Sequence, residues 1–287
     1  MQVEKQTCVV MTGEGARGAY QAALLHHLEV VNGLEFSRLY GISSGATNCF
    51  CRSHQGITGP TMLWGSFKKL TDAFGFSLKN ALFGNGLFTH KKPLERTKTA
   101  LRGGAAKIPY TVGMMDIEAG EMIYVRSEDL SQMSIDEAAE LLTCCVRIPG
   151  LVSCEKFTDT GGLELNPISE AIKDGFKEIH LIVGVMPDQK GWEPPKKRFL
   201  KQLDYAFRSM DLSMKLMMFD NLCVDLPKGV TVHLYGPKEK LTDQLSFYNC
   251  QNMIAKGSEY RHIVLDSENS FSKVFSQMML DEGKGKL

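Results

Sequence analysis

The sequence predicts an α/β fold in which a mainly parallel central sheet is covered by helices on both faces. Short apolar runs rich in β-branched residues alternate along the chain with segments of helical length. Parallel strands need crossover connections, which are usually helices. The composition, 43% hydrophobic and 23% charged, is that of a globular protein and excludes intrinsic disorder.

The first βαβ unit is predicted at the start of the chain. Residues 7–12 form an apolar run that ends in glycines, which is typical of a buried strand. Residues 19–31 are apolar almost all round and are followed by Asn32 and Gly33, so we expect a buried helix that ends there. Residues 38–42 are predicted to form the second strand.

Two further helices are predicted from their end signals. Residues 134–146 begin with Ser134 and Glu137 in capping-box spacing. Residues 168–173 follow Asn166 as the cap and Pro167 as the first helical residue, and the helix is expected to stop at Gly175.

The second half of the chain continues the alternation. Residues 179–186 and 230–235 are predicted as strands because β-branched residues are frequent in them. Between them, residues 196–222 are predicted as one long helix with a methionine-rich side. We find no internal repeat and no long linker, so residues 1–287 are expected to form one domain, with its core at about 7–265 and a C-terminal extension at 266–287.

Charge and cysteine content narrow the functional class. Lys and Arg total 33 and Asp and Glu total 33, so there is no net field to attract nucleic acid, and we expect no nucleic-acid partner. Eight cysteines without C-x-x-C spacing are expected to be free thiols in a reducing compartment. With no secretory or membrane-spanning apolar stretch, the expected location is cytoplasmic, with peripheral contact at a membrane surface as an option.

The strongest local motif is a G-x-S-x-G at the end of the second predicted strand. Gly41 and Gly45 flank Ser43 at two residues' distance on either side. A serine at a sharp strand-to-helix turn has strained backbone angles, and its neighbours at these positions must be small. The turn would present the Ser43 hydroxyl at the carboxyl edge of the sheet, beside a helix N-terminus that favours negative charge. We therefore predict Ser43 to be a nucleophile.

A glycine-rich loop follows the first predicted strand. It has G-x-G-x-x-G spacing and consists of Gly13, Glu14, Gly15, Ala16, Arg17 and Gly18. Backbone N–H groups at such a helix start can hold a pyrophosphate or an oxyanion. A dinucleotide site would need an acidic residue at the end of the second strand, where Ser43 stands, so the oxyanion interpretation is favoured.

The base that would activate Ser43 has more than one candidate. In an α/β-hydrolase a histidine follows late in the chain, and His233 and His262 satisfy that order. The other candidate is Asp159, which lies 116 residues after Ser43 in a D-T-G-G turn before the helix predicted at 168–173.

Taken in order, the glycine loop, the G-x-S-x-G and the later D-x-G resemble the patatin-like phospholipases, over about residues 8–263. Residues 13–25 (GEGARGAYQAALL) resemble the bacterial members especially. The resemblance implies a three-layer α/β/α fold and lipid acyl hydrolase activity on a phospholipid or other lipid ester. It assigns Ser43 as nucleophile, Asp159 as base without histidine, and Gly13 through Gly18 as the oxyanion loop. No metal and no cofactor are implied, and no activating protein partner can be named.

The sequence departs from this family at two positions. Glu14 stands where glycine is usual, and Thr160 stands where a glycine commonly follows the aspartate. If the glycine pair of the family were Gly161 and Gly162, Thr160 would occupy the base position and the site would be inactive. We favour Asp159 because Pro167 then lies eight residues later, as in the family. The side chain of Glu14 is expected to point away from the oxyanion. A catalytically silent binding module remains the alternative.

Two further segments have functional interpretations beside structural ones. Residues 63–88 contain Trp64 and five phenylalanines, which suit either the wall of an acyl-chain tunnel or a packed core. Residues 194–201 (PPKKRFLK) form a basic cluster before the methionine-rich helix, which suits either a membrane surface or a solvated helix start. Arg17 also has two interpretations: it positions the glycine loop or screens a phosphate group, or it forms a structural salt bridge.

Overall fold

The computed structural model describes residues 7–82, 86–149, 151–153, 156–160, 166–189, 209, 212–213, 216, 219, 226–243 and 245–276. Most of the helix predicted at 196–222, and the whole basic cluster at 194–201, lie outside these residues.

The described strands are short, and most belong to one sheet. They are β1 (Thr7–Met11), β2 (Arg38–Ile42), β3 (Gly75–Phe76), β4 (Phe88–Thr89), β5 (Tyr110–Asp116), β6 (Glu121–Arg126), β7 (Phe157–Thr158), β8 (Glu178–Ile182), β9 (Thr231–Pro237) and β10 (Tyr260–Leu265).

The described helices connect and cover these strands. They are α1 (Gly18–Val30), α2 (Ser44–Gln55), α3 (Gly59–Gly65), α4 (Leu70–Ala73), α5 (Leu78–Leu82), α6 (Lys91–Leu101), α7 (Ser127–Leu130), α8 (Ile135–Cys144), α9 (Ile168–Lys173) and α10 (Cys250–Ala255). Short 3-10 helices occur at Gly15–Arg17 and Phe247–Asn249.

The central sheet is mixed and mostly parallel, with the order β10-β9-β8-β1-β2-β5-β6. The five inner strands are parallel to one another, and their order is β9-β8-β1-β2-β5. Strands β10 and β6 are antiparallel at the two ends, and β7 pairs with β5 in antiparallel fashion. The predicted α/β class with a mainly parallel sheet is confirmed.

Helices cover both faces of the sheet, because alternate residues of one strand belong to different cores. Val9 and Met11 pack in a core with α1 and α2, whereas Cys8 and Val10 pack in a second core with α9. Side chains of successive strand residues point to opposite faces, so a strand that is apolar at every position is buried from both sides. This explains the unbroken apolar run of β1.

Several predicted elements occur at the predicted positions. The strand at 38–42 and the helix at 168–173 have the predicted bounds, and Ser134 caps α8 with Glu137 in a capping box. In α9, however, the residue before the first helical residue is Pro167 and not Asn166, and no side chain caps the helix.

The strand predicted over 179–186 ends earlier, at Ile182. Residues 183–186 remain buried but bend, because the N–H of Gly184 donates to the carboxylate of Glu14 at 2.7 Å instead of continuing the ladder. A buried apolar loop and a buried strand have the same composition, so the apolar run over 179–186 does not reveal where the strand ends.

Among the described helices, none combines the length and the apolar character that a bilayer crossing needs. The six cysteines of the described part, Cys8, Cys49, Cys51, Cys144, Cys145 and Cys250, are buried free thiols, as predicted. Burial raises the pKa of the Cys51 and Cys250 thiols to about 12, so they remain protonated and unreactive at neutral pH.

Candidate active site

Ser43 lies at a strained turn between β2 and α2. Its backbone angles are φ 53° and ψ −119°, and it is the only non-glycine residue of the described part with a positive φ. For a residue with a Cβ such a conformation costs on the order of 1–3 kcal/mol, and it persists only where the surrounding structure imposes it. Ser43 is 8% exposed and immediately precedes the first turn of α2, whose N–H groups favour a negative charge nearby.

The two glycines of the motif are required by close packing of the backbone. A Cβ on Gly41 would lie 2.4 Å from the carbonyl carbon of Gly45. A Cβ on Gly45 would lie 2.2 Å from the carbonyl oxygen of Met11 in β1. Contacts this short do not occur in folded proteins, so the turn that presents Ser43 depends on both glycines.

The glycine loop lies directly against the serine. A Cβ on Gly13 would lie 3.0 Å from the Cβ of Ser43, and Gly15, at φ +56°, lines the same pocket as Ser43. Gly15 and Ala16 begin the 3-10 helix that leads into α1, and first-turn N–H groups have no partner within their helix. The loop therefore offers backbone donors beside Ser43.

The N–H of Glu14 is already engaged, because it donates to Ser44 Oγ at 3.0 Å. The carboxylate of Glu14 is buried and points to β8, where it accepts hydrogen bonds from the N–H of Gly184 at 2.7 Å and from the hydroxyl of Thr12. Glu14 is absent from the residues that line the pocket of Ser43. Its negative charge is thus directed away from the position of an oxyanion.

Arg17 is held inside the fold. The residue is 4% exposed, Nε donates to the carbonyl of Thr242 at 3.0 Å, and Nη1 lies 3.9 Å from the carboxylate of Glu14. Gly184 leaves room for both side chains, since a Cβ there would lie 2.7 Å from the Cβ of Arg17. These contacts favour the structural interpretation of Arg17 over contact with a ligand.

The strand register locates Ser43 with respect to β5. Strands β2 and β5 pair in parallel as far as Ile42 opposite Gly113. The next residue along β2 is Ser43, and the next along β5 is Met114. Ser43 therefore leaves the sheet beside Met114.

Asp159 reaches the same point from the opposite direction. Strand β7 pairs antiparallel with β5, with Thr158 opposite Met115, so the following residue, Asp159, also falls beside Met114. Because β6 pairs with the other edge of β5 over this stretch, β7 must continue the edge that β2 occupies. The backbones of Ser43 and Asp159 therefore leave β2 and β7 beside the same residue of β5 and at the same edge of that strand.

Asp159 is held in this position by its backbone and is nearly inaccessible. It is 3% exposed, and its N–H donates to the carbonyl of Arg147 at 3.0 Å, which also accepts from the hydroxyl of Thr158. Thr160 is equally buried, so burial does not separate the two candidates for the base position. Continuing the register of β7 by one residue puts Asp159, and not Thr160, opposite Met114.

The thiol of Cys145 is affected electrostatically by Asp159 and by a residue of α2. Burial raises the pKa of Cys145, and the nearby Cys144, the carboxylate of Asp159 and Cys49 of α2 raise it further. A neutral thiol at this place does not compete with Ser43 as a nucleophile.

An apolar pocket opens beside Ser43. Its wall includes Phe50, Trp64, Phe67, Phe74, Ile148 and Phe247. Trp64 is fixed by a hydrogen bond of 2.6 Å from its Nε1 to Asn48 Oδ1, and Asn48 in turn donates to the carbonyl of Gly18 at 3.0 Å. The pocket wall and the glycine loop are therefore linked through one asparagine.

The aromatic segment at 63–88 contributes to this wall in part. Trp64, Phe67 and Phe74 line the pocket, whereas Phe76 is 60% exposed and Phe88 packs behind Phe74 with ring centroids 6.1 Å apart. The remaining phenylalanine of the segment, at position 83, lies outside the described residues.

The candidate histidine bases are not brought to Ser43. His233 lies on β9 and His262 on β10, and both β8 and β1 separate these strands from β2. All seven histidines of the chain belong to its described part, and none lines the pocket of Ser43.

Arg96 lies at the pocket wall, although the sequence did not predict it to be a site residue. Its guanidinium stands 4.6 Å from the ring centroid of Phe67 and donates to the carbonyl of Ala73 at 2.9 Å. Burial lowers the pKa of Arg96. Nothing in the sequence distinguishes it from the other charged residues of α6, since only the packing of α6 on α4 places it here.

Comparisons with known proteins add little to this geometry. No family model matches the chain, and no curated protein matches it. Among solved structures, the crystal structure of VipD from Legionella pneumophila superposes with a TM-score of 0.42 at 12% identity, over 91% of this chain and 68% of that one.

Proposed function

We propose that the protein is a serine hydrolase that cleaves ester-linked acyl chains from lipids, with Ser43 as nucleophile and Asp159 as base. The observation that carries this proposal is the strained serine at the mouth of an apolar pocket, with a buried carboxylate aligned to the same point of β5. The resemblance of the three ordered motifs to the patatin-like phospholipases supports it independently.

In the proposed mechanism, Asp159 accepts the proton of the Ser43 hydroxyl as Oγ attacks the ester carbonyl carbon. The tetrahedral intermediate places its negative charge near the first N–H groups of the glycine loop and the N-terminus of α2. The alcohol then leaves with the proton, and an acyl group remains on Ser43. Water, deprotonated by Asp159, releases the fatty acid and restores the hydroxyl.

The pocket supports a lipid substrate. Each methylene group transferred from water to such an apolar wall contributes about 0.8 kcal/mol of binding free energy. The affinity for a fatty acyl chain would therefore increase with the length of the chain. The hydroxyl groups of Ser43, Ser44 and Thr47, which also line the pocket, would lie beside the ester carbonyl. A phospholipid or another lipid ester, reached at a membrane surface, is the substrate class we propose.

A catalytically silent lipid-binding module is the second candidate, and one observation favours it. The N–H of Glu14 is occupied by Ser44 Oγ, so the loop has one donor fewer for an oxyanion than its spacing indicates. Losing one such donor costs about 3–4 kcal/mol in the transition state in a well-studied hydrolase. Covalent labelling of Ser43 separates hydrolysis from silent binding.

The test is covalent labelling with a fluorophosphonate probe, followed by hydrolysis of short- and long-chain lipid esters. We expect labelling of the wild type at Ser43 and none in Ser43→Ala. In Asp159→Asn, hydrolysis should fall at least about 100-fold, because a positioned base contributes 10²–10⁴-fold. The matched controls Ser131→Ala and Asp129→Asn, at exposed positions away from the pocket, should retain full activity.

Three results would contradict the proposal. A folded wild type that neither reacts with the probe nor hydrolyses any ester supports the silent module. Undiminished activity in Asp159→Asn would refute the dyad, and loss of activity in His233→Gln or His262→Gln would establish a histidine-dependent esterase instead. Circular dichroism and thermal melting of each variant exclude misfolding as the cause.

A further inference from the structure

A cluster of metal-ligating side chains lies on strands β8 and β9, away from the candidate active site. Glu178 and His180 are two residues apart on β8 and so share one face of the sheet. His233 of β9 is paired directly with His180, which places it on the same face. The imidazole rings of His180 and His233 are stacked, with centroids 4.7 Å apart and an angle of 12° between their planes.

The ligating atoms of the three side chains converge. Oε1 of Glu178 lies 3.9 Å from Nε2 of His180 and 3.8 Å from Nε2 of His233. All three atoms lie within 4.8 Å of one another. In a tetrahedral zinc site with bonds near 2.1 Å, ligand atoms are about 3.4 Å apart. The side chains of Glu178 and His233 are 24% and 20% exposed, so small rotations of them would shorten the distances between the ligand atoms to this value.

The other ring nitrogens of both histidines are hydrogen-bonded. Nδ1 of His180 lies 3.1 Å from the hydroxyl of Tyr235, and Nδ1 of His233 lies 3.1 Å from Nε2 of His262. Histidines that bind metals usually have such a partner at the second nitrogen, because it fixes the tautomer and the ring orientation. Here both partners orient Nε2 towards Glu178.

We propose that Glu178, His180 and His233 form a binding site for a divalent transition metal of the zinc class, with water at the remaining coordination position. Two imidazoles and one carboxylate are ligands that suit zinc and its neighbours rather than magnesium or calcium. The site is separate from the proposed hydrolytic reaction, for which the sequence implies no metal.

The position of the cluster indicates a structural role. His180 is paired with Val9 and Val9 with Leu39, whereas Ser43 is four residues further along β2. At 3.3 Å per residue and 4.8 Å per strand, the cluster is on the order of 15 Å from Ser43. An ion bound there joins β8 to β9, and it stabilises the folded chain because the unfolded chain lacks the assembled site.

The test uses protein freed of metal with a chelator and then titrated with Zn²⁺. We expect one equivalent to bind, with a rise in melting temperature, and Co²⁺ to give the visible absorption of tetrahedral coordination. Glu178→Gln and His233→Gln should each lower Zn²⁺ affinity more than tenfold, and Tyr235→Phe by about tenfold through loss of ring orientation. The control His26→Gln, on α1 and outside the cluster, should bind Zn²⁺ like the wild type.

The proposal is overturned if Zn²⁺ leaves the melting temperature unchanged, or if the double variant Glu178→Gln/His233→Gln binds it as tightly as His26→Gln does. Both substituted positions are partly exposed, so these variants should fold even if changes at buried His180 do not. Fluorophosphonate labelling of Ser43 should be the same in Glu178→Gln and wild type, which separates this test from that of the hydrolase.

Discussion

At Gly45, helix α2 passes so close to β1 that a single methyl group would lie 2.2 Å from the carbonyl oxygen of Met11. Backbone atoms on both sides leave no flexible side chain to move aside. The same proximity gives Ser43 its strained conformation, because the chain has to turn within one residue to enter α2. The geometry of the candidate nucleophile is therefore decided by the smallest residues around it.

Gly45→Ala is expected to destabilise the protein by about 3 kcal/mol or more, because the new Cβ overlaps backbone atoms. Gly65→Ala is the matched control, since its Cβ would meet no heavy atom nearer than 3.8 Å, at the end of Ile254. Alanine at that helical position should be neutral or stabilise by about 0.5–1 kcal/mol. Urea unfolding of both variants measures the difference, and equal stabilities would contradict the packing argument.

Among the helices, α8 shows how local sequence sets a boundary. Ser134 Oγ accepts the N–H of Glu137 at 3.3 Å, and the Glu137 carboxylate accepts the N–H of Ser134 at 2.9 Å. The reciprocal bonds satisfy donors that the first turn cannot pair internally. The helix packs on α6, which carries Pro93, Arg96 and Thr97 of the pocket wall. The cap of α8 thus supports the site indirectly.

Ser134→Ala should lower the free energy of unfolding by about 1 kcal/mol, the usual contribution of an N-cap hydroxyl. Thr99→Ala on α6 removes an exposed hydroxyl that only bonds back to the Glu95 carbonyl, so it should change stability little. Chemical denaturation of the two variants in parallel distinguishes the cap from the generic loss of a hydroxyl. A smaller effect at Ser134 than at Thr99 would show that the capping box does not stabilise α8.

Elements were predictable where their signals are local. The bounds of β2 and α9 agree with the prediction, because apolar runs between turn residues and helix ends are set within a few residues. No strand was predicted at β5, although it lies at the centre of the candidate site. Tyr110, Thr111 and Val112 favour a strand, whereas the glycine and aspartate that follow do not, and pairing with β2 and β6 decides the conformation of the whole segment.

The whole molecule has 33 basic and 33 acidic residues and therefore no net charge. Only a local cluster of like charges can attract it to a charged surface. The basic cluster at 194–201 is the densest such patch in the sequence. We propose that it contributes to membrane contact. Each basic residue near an anionic surface is worth about 1 kcal/mol of binding free energy.

Replacing Lys196, Lys197 and Arg198 by glutamine should therefore reduce binding to phosphatidylserine-containing vesicles at least tenfold, as measured by cosedimentation. The control replaces three scattered exposed lysines, Lys107, Lys228 and Lys238, which changes the net charge equally without touching the cluster. Unchanged binding in the first variant, or an equal loss in the control, would remove the cluster as a membrane contact.

Residues close together in the sequence were enough to identify the Ser43 turn, the Gly13–Gly18 loop and the capping box, because steric limits and first-turn hydrogen bonds act within a few positions. The alignment of the ends of β2 and β7 beside β5, and the placement of His233 beside Glu178 and His180, depend on the order and register of strands far apart in the chain. Only the assembled sheet decides these, because hydrogen bonding between strands and burial on both faces select one pairing among many.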